Sequence, residues 1–106
     1  MGDKFFFKPL GFGGKRLRFR LRTRKGKVVE FLVQLEMLAG ETWKPVVRYD
    51  NSHGFAHRDI LDFMGRETEK KPLKLATMEE VLEYAEQDLT DRVDWYVERF
   101  LMTRRH

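Results

Sequence analysis

Seven consecutive residues, Arg16 to Arg22, read Arg-Leu-Arg-Phe-Arg-Leu-Arg. Period two puts Leu17, Phe19 and Leu21 on one face of a β-strand and Arg16, Arg18, Arg20 and Arg22 on the other. On a helix the same residues would spread the arginines around the circumference. The chain must therefore build a sheet with one apolar and one polar face. The remaining residues have to cover the apolar one.

The neighbouring sequence extends that sheet. Thr23-Arg24-Lys25-Gly26 is a tight turn with Gly26 as its positive-φ residue. Lys27–Leu38 reads as a second strand with Val29, Phe31, Val33, Leu35 and Met37 on one face, and so short a link makes the pair antiparallel. Thr42–Asp50 is a third strand. Pro45 lacks an N–H, so this strand starts at an edge or carries a bulge there. Phe5, Phe6 and Phe7 suggest a short strand ahead of a flexible glycine-rich segment that lacks the spacing of a phosphate loop. Arg58–Met64 fits a helical turn or a short strand, and Pro72–Leu75 a short edge strand.

Thr77 with Glu80 forms a capping box. From there Met78, Leu82, Ala85, Leu89, Val93, Tyr96 and Phe100 recur at helical spacing. The expectation is one helix over residues 77–103, roughly 25 residues and ~38 Å long, with a protruding end. Trp95, Phe100 and Leu101 are the expected contact residues of a homo-oligomer. The fold class is thus α+β: an antiparallel β-meander of three to five strands packed on one long C-terminal α-helix. The 106 residues make a single domain. Within it, 1–15 is a partly flexible N-terminal segment, 16–50 the meander and 51–76 a loop-rich motif region.

Composition narrows the function classes. A hydrophobic fraction of 42% and an aromatic fraction of 13% argue for a packed core rather than disorder. The absence of cysteine excludes disulfides, thiolate zinc sites and thiol nucleophiles. No apolar run approaches the roughly 20 residues of a membrane helix, and the charged N-terminus does not read as a signal peptide, so a cytoplasmic protein is expected. Charged residues make up 36%, a balance resembling thermophilic proteins. The net charge of +4 is unevenly spread: residues 1–27 carry ten basic side chains against one acid, whereas residues 77–98 carry eight acids against Arg92. Such asymmetry suits either a surface for polyanions or pairing between or within subunits.

One stretch concentrates reactive groups: Arg48-Tyr49-Asp50-Asn51-Ser52-His53-Gly54-Phe55-Ala56-His57-Arg58-Asp59. Imidazoles transfer protons near neutrality, and a neighbouring carboxylate orients them. His53 and His57 are therefore candidates for an acid–base pair, with Asp50 as orienter and Arg48 and Arg58 as phosphate contacts. That set suffices for metal-independent cleavage of RNA, provided both imidazoles are exposed in one cleft. A divalent metal on His53 and His57, with Asp50 or Asp59, is an alternative. The turn-like Asn51–Gly54 does not suit that spacing, so no metal and no cofactor is assigned. A third reading is structural: Asp50-Asn51-Ser52 closes a turn through Asx hydrogen bonds. Ser52 lacks a nucleophile elbow. The row Arg16, Arg18, Arg20 and Arg22 repeats at about 6.8 Å, which suits successive phosphates. Glu30 and Glu36 are its candidate partners across the hairpin.

The segment Val46-Val47-Arg48-Tyr49-Asp50-Asn51-Ser52-His53-Gly54, with His57 following, resembles the RYDN-x-H…H segment of the TumE-like family of small toxin components. The order of meander, motif and C-terminal helix is similar as well. Arg58-Asp59 stands where that family has a further histidine. The resemblance implies an antitoxin partner and an RNA target. The expected function is a small RNA-binding or RNA-cleaving, toxin-like protein. The alternative is a non-catalytic interaction module or homodimer that uses its basic sheet face or its long acidic helix.

Overall fold

Six strands pair in chain order, each antiparallel to its neighbours: β1 (Gly2–Pro9), β2 (Lys15–Arg24), β3 (Lys27–Ala39), β4 (Thr42–Asp50), β5 (His57–Leu61) and β6 (Glu67–Pro72). Two helices follow, α1 (Met78–Asp91) and α2 (Val93–Met102). The structure, a computed structural model, describes residues 2–11, 13–52, 54–74 and 77–104. His53, Leu75 and Arg105 lie outside them. The expected meander of three to five strands on one long helix is corrected on both counts.

The β2–β3 hairpin follows the arginine alternation, with Leu17 opposite Leu35, Phe19 opposite Val33 and Leu21 opposite Phe31. Lys25 and Gly26 close it with φ of 52° and 77°. A two-residue turn with positive φ at both positions matches the twist of the strands it joins. At Pro45 the register of β3 against β4 shifts: Leu35 faces Val47 but Glu36 faces Pro45. The bulge accommodates the missing N–H without ending the strand.

The extra strands lie where apolar alternation is absent. Every residue of β6 is exposed, and its sequence is Glu-Thr-Glu-Lys-Lys-Pro. Charge and a terminal proline are what a sheet edge uses against unwanted pairing, so this strand carries no core pattern to read. The β5–β6 turn is tied by Asp62, whose carboxylate accepts from the N–H groups of Met64 and Arg66. Strand β1 forms the other edge and is likewise exposed throughout. It orders most of a segment expected to be partly flexible.

The core lies between the sheet and the helices. Leu17, Phe19, Val33, Leu35, Val47, Tyr49 and Ile60 meet Val81, Ala85, Leu89, Tyr96, Val97 and Phe100. The Thr77–Glu80 capping box is present in both directions. At Arg92 the backbone leaves helical geometry, with φ −110° and ψ 20°. The hydrogen bonds nevertheless run on, from Arg92 N–H to Asp88 O at 2.9 Å and from Tyr96 N–H to Arg92 O at 3.0 Å. The long helix therefore bends instead of projecting, which keeps apolar side chains of both halves on the sheet. The buried stripe is also rotated: Met78, Leu82 and Val93 sit at its margin, only partly buried. Phe100, expected at a subunit contact, is 1% exposed and packs on Phe63 at 5.2 Å between ring centroids.

Candidate functional site

The sheet face away from the helices carries a connected polar array. Cross-strand register lines up Phe7, Arg18, Gln34, Arg48, Asp59 and Lys70 across all six strands. Arg48 Nε donates to Gln34 Oε1 at 2.7 Å, and Gln34 Nε2 donates to Glu36 Oε2 at 2.6 Å. Glu36 also accepts from Arg16 Nε at 2.8 Å, with Arg18 at 3.9 Å. The Arg16 guanidinium lies 3.9 Å from the ring centroids of both Phe7 and Trp43. Two aromatic faces and a carboxylate thus fix Arg16 in place and bury Glu36 beneath it.

The four arginines of the row Arg16 to Arg22 consequently differ. Arg16 is built into the array, and Arg22 pairs with Asp3 at 3.3 Å and Glu30 at 3.6 Å. Arg18 is partly engaged and lies 4.8 Å from the Phe5 ring centroid. Arg20 is exposed, and its guanidinium has no ion-pair or hydrogen-bond partner among the described residues. It lines a shallow groove of about 280 Å³ with Leu32, Asp50, Asn51 and Ser52.

At the far end of this face the β4–β5 hairpin gathers Asp50, His57 and Asp59. Asp50 pairs directly with His57, and Asp59 follows two residues along the same face. His57 Nε2 stands 3.1 Å from Asp50 Oδ1 and 3.4 Å from Asp59 Oδ2, while its Nδ1 meets the Phe55 carbonyl at 3.2 Å. All three residues are buried, His57 at 1% exposure.

Each residue of the Arg48-Tyr49-Asp50-Asn51 motif has a defined bond. Arg48 takes Gln34, and Tyr49 Oη donates to Asp88 Oδ2 at 2.6 Å. Asp50 Oδ1 accepts from the Ser52 N–H at 3.0 Å and the Ser52 hydroxyl at 2.9 Å. Asn51 accepts from Phe31 N–H at 3.1 Å and donates to Val29 O at 3.0 Å, so its side chain adds a rung to β3. The Asx turn expected at Asp50–Ser52 is present.

The other expected groups fare differently. Arg58 lies on the helix face, 9% exposed, donating to Tyr96 Oη and to Glu69 Oε2, each at 3.2 Å. It stands opposite Tyr49 in the register, whereas His57 and Asp59 point to the other side. It therefore does not share a phosphate site with Arg48. His57 is not exposed in a cleft, and His53 lies outside the described residues. Glu30 and Glu36 pair with the arginine row across the hairpin as expected, whereas sequence reasoning missed Lys70 as a member of the polar face and named Asp59 only as an optional ligand. The alternation His57-x-Asp59 within a strand was the signal that pairs it with His57.

The family model described as a domain of unknown function, DUF7718, matches residues 1–106. The chain belongs to the DUF7718 family. No curated protein and no solved structure matches it. No helix among the described residues of this DUF7718 chain is long and apolar enough to cross a membrane.

Between sheet and helices the same protein holds a second polar cluster. Tyr49 and Tyr96 both donate to Asp88 Oδ2 at 2.6 Å, and Arg92 lies 3.6 Å from Asp88 Oδ1. Burial, and then the bond to Asp88, pushes the Tyr96 hydroxyl up to about 12 from its ordinary 10.0. The same causes in the same order push Tyr49 higher still. These hydroxyls remain protonated donors and join helix to strand. The open face exposes the rings of Phe5 and Phe7 and the guanidinium of Arg20.

Proposed function

We propose that this protein binds single-stranded RNA on the open face of its sheet. The observation that carries the reading is the placement of Phe5 and Phe7. They are 53% and 41% exposed and lie on the same face as Arg18 and Arg20, Phe5 opposite Arg20 and Phe7 opposite Arg18. Base stacking on aromatic side chains beside cations that take phosphates is the usual chemistry of sequence-tolerant single-strand binding. The choice of RNA over DNA rests on the resemblance to TumE-like toxins. Cleavage by His53 and His57 is not part of this proposal, because His57 is buried.

Fluorescence anisotropy with a labelled mixed-sequence RNA tests it. Binding should weaken steeply as salt rises, since phosphate contacts release counterions. Arg18→Glu with Arg20→Glu should abolish it, and Phe5→Ala with Phe7→Ala should cost about 1–3 kcal/mol per lost stack. No binding at low salt would overturn the reading. So would phenylalanine variants that bind RNA normally but change the mass in sedimentation, which would assign β1 to a protein interface.

A further inference from the structure

We propose that Asp50, His57 and Asp59 form a binding site for one divalent transition-metal ion. The ligand atoms, one from each residue, all lie within 4.8 Å of one another. The Nε2–carboxylate separations of 3.1 and 3.4 Å are those of neighbouring ligands on one ion. Metal bonds of about 2.0–2.2 Å put such neighbours roughly 3.0–3.5 Å apart.

The surroundings set the donor atoms. The Phe55 carbonyl 3.2 Å from His57 Nδ1 can only accept, so Nδ1 carries a proton and donates. The other nitrogen, Nε2, faces the two carboxylates and is the atom that can ligate. An ion held by Nε2 and both carboxylates would neutralise the two buried acids. A ligating histidine that donates its second N–H to a backbone carbonyl is the common arrangement at metal centres. Asp50 is held through the oxygen nearest Nε2, and Asp59 through its far one. Asp50 Oδ1 accepts from Ser52, and Asp59 Oδ1 makes no hydrogen bond but has Lys70 Nζ beside it at 3.3 Å.

One imidazole with two carboxylates suits zinc, manganese, iron or nickel, while calcium and magnesium prefer oxygen alone. Three protein ligands leave further positions for water or an anion. Asp50 also lines the groove beside Arg20, which gives such a ligand a way in. The site needs no RNA, so it stands or falls apart from the function proposed above.

The test is calorimetric titration of the metal-stripped full chain with zinc or manganese chloride. One equivalent should bind, and Asp59→Asn or His57→Gln should weaken binding at least tenfold. One equivalent of zinc should also shift the ring signals of His57 in the NMR spectrum, assigned by their loss in His57→Gln. This readout uses the wild type, so it holds if a variant fails to fold. Unmoved His57 signals, or equal binding by wild type and Asp59→Asn, would overturn the proposal. The trio would then be an imidazolium held by two carboxylates.

Discussion

Tyr49 Oη donates to Asp88 Oδ2 across 2.6 Å, joining the C-terminal end of β4 to the last turn of α1. Tyr96, beyond the bend, donates to the same oxygen. One carboxylate thus holds a strand and two helices together, and the bend at Arg92 lies between the groups it binds.

Removing that carboxylate strands two buried hydroxyls at once. Asp88→Ala should cost about 3 kcal/mol in urea unfolding, and Tyr49→Phe about 1–2 kcal/mol. In a double-mutant cycle the two losses should fall short of adding, because each variant breaks the same bond.

Alkaline pH should weaken the fold through the same cluster. Tyr96 is raised from 10.0 to about 12 in the folded chain, so the folded state holds the proton more tightly than the unfolded one. Its contribution is complete below pH 10 and is lost as pH climbs from about 10 through about 12. A shift of this size corresponds to about 2–3 kcal/mol. Chemical denaturation across that range should show the decline, and Tyr96→Phe should flatten it.

Leu89 is fully buried beneath the sheet. Leu89→Ala should destabilise by about 2–5 kcal/mol, the range for a buried leucine. Tyr84→Ala, at a position 43% exposed, serves as the comparison and should cost much less. Equal losses would move the packing face of α1.

The Asn51 side chain is both acceptor and donor to β3. Asn51→Asp keeps the acceptor for Phe31 N–H but sets a carboxylate against the Val29 carbonyl. It should cost about 1–3 kcal/mol in thermal or urea unfolding. Asn51→Ala should cost a similar amount and speed amide exchange at Phe31.

Lys25 holds φ 52° beside Gly26, a conformation a lysine adopts at some cost and asparagine readily. Lys25→Asn should raise stability by about 0.5–1 kcal/mol, read as a higher unfolding midpoint in urea.

How far the sequence revealed this structure depends on which physical signal each element carries. Strands β2, β3 and β4 were legible within a residue or two, since each turns large apolar residues such as Leu17, Val33 and Tyr49 to one face. Strands β5 and β6 were not. The first is buried throughout at His57-Arg58-Asp59-Ile60-Leu61, and the second is exposed throughout, so neither alternates. The helical stripe was visible, but its bend has no glycine or proline to announce it. It lies at Arg92, one turn after Asp88, whose partner Tyr49 comes from a distant strand. The motif from Arg48 to Asp59 was recognised as a centre of polar chemistry, and the Asx turn within it was foreseen. Which of its side chains share a face depends on where β5 begins. Starting at His57 sends Arg58 to the helices and Asp59 to the side of Asp50.

The strand order, identical to the chain order, has a kinetic consequence. Every strand pairs only with its neighbours along the chain, and each hairpin closes over a short loop. Proteins dominated by such near-sequence contacts fold faster than sheets assembled from distant segments. The meander can zip one hairpin at a time. The long-range contacts, Asp88 with Tyr49 among them, join the helices to strands far back along the chain. Docking of the two helices accordingly closes the longest loops of the fold and carries the largest cost in chain entropy.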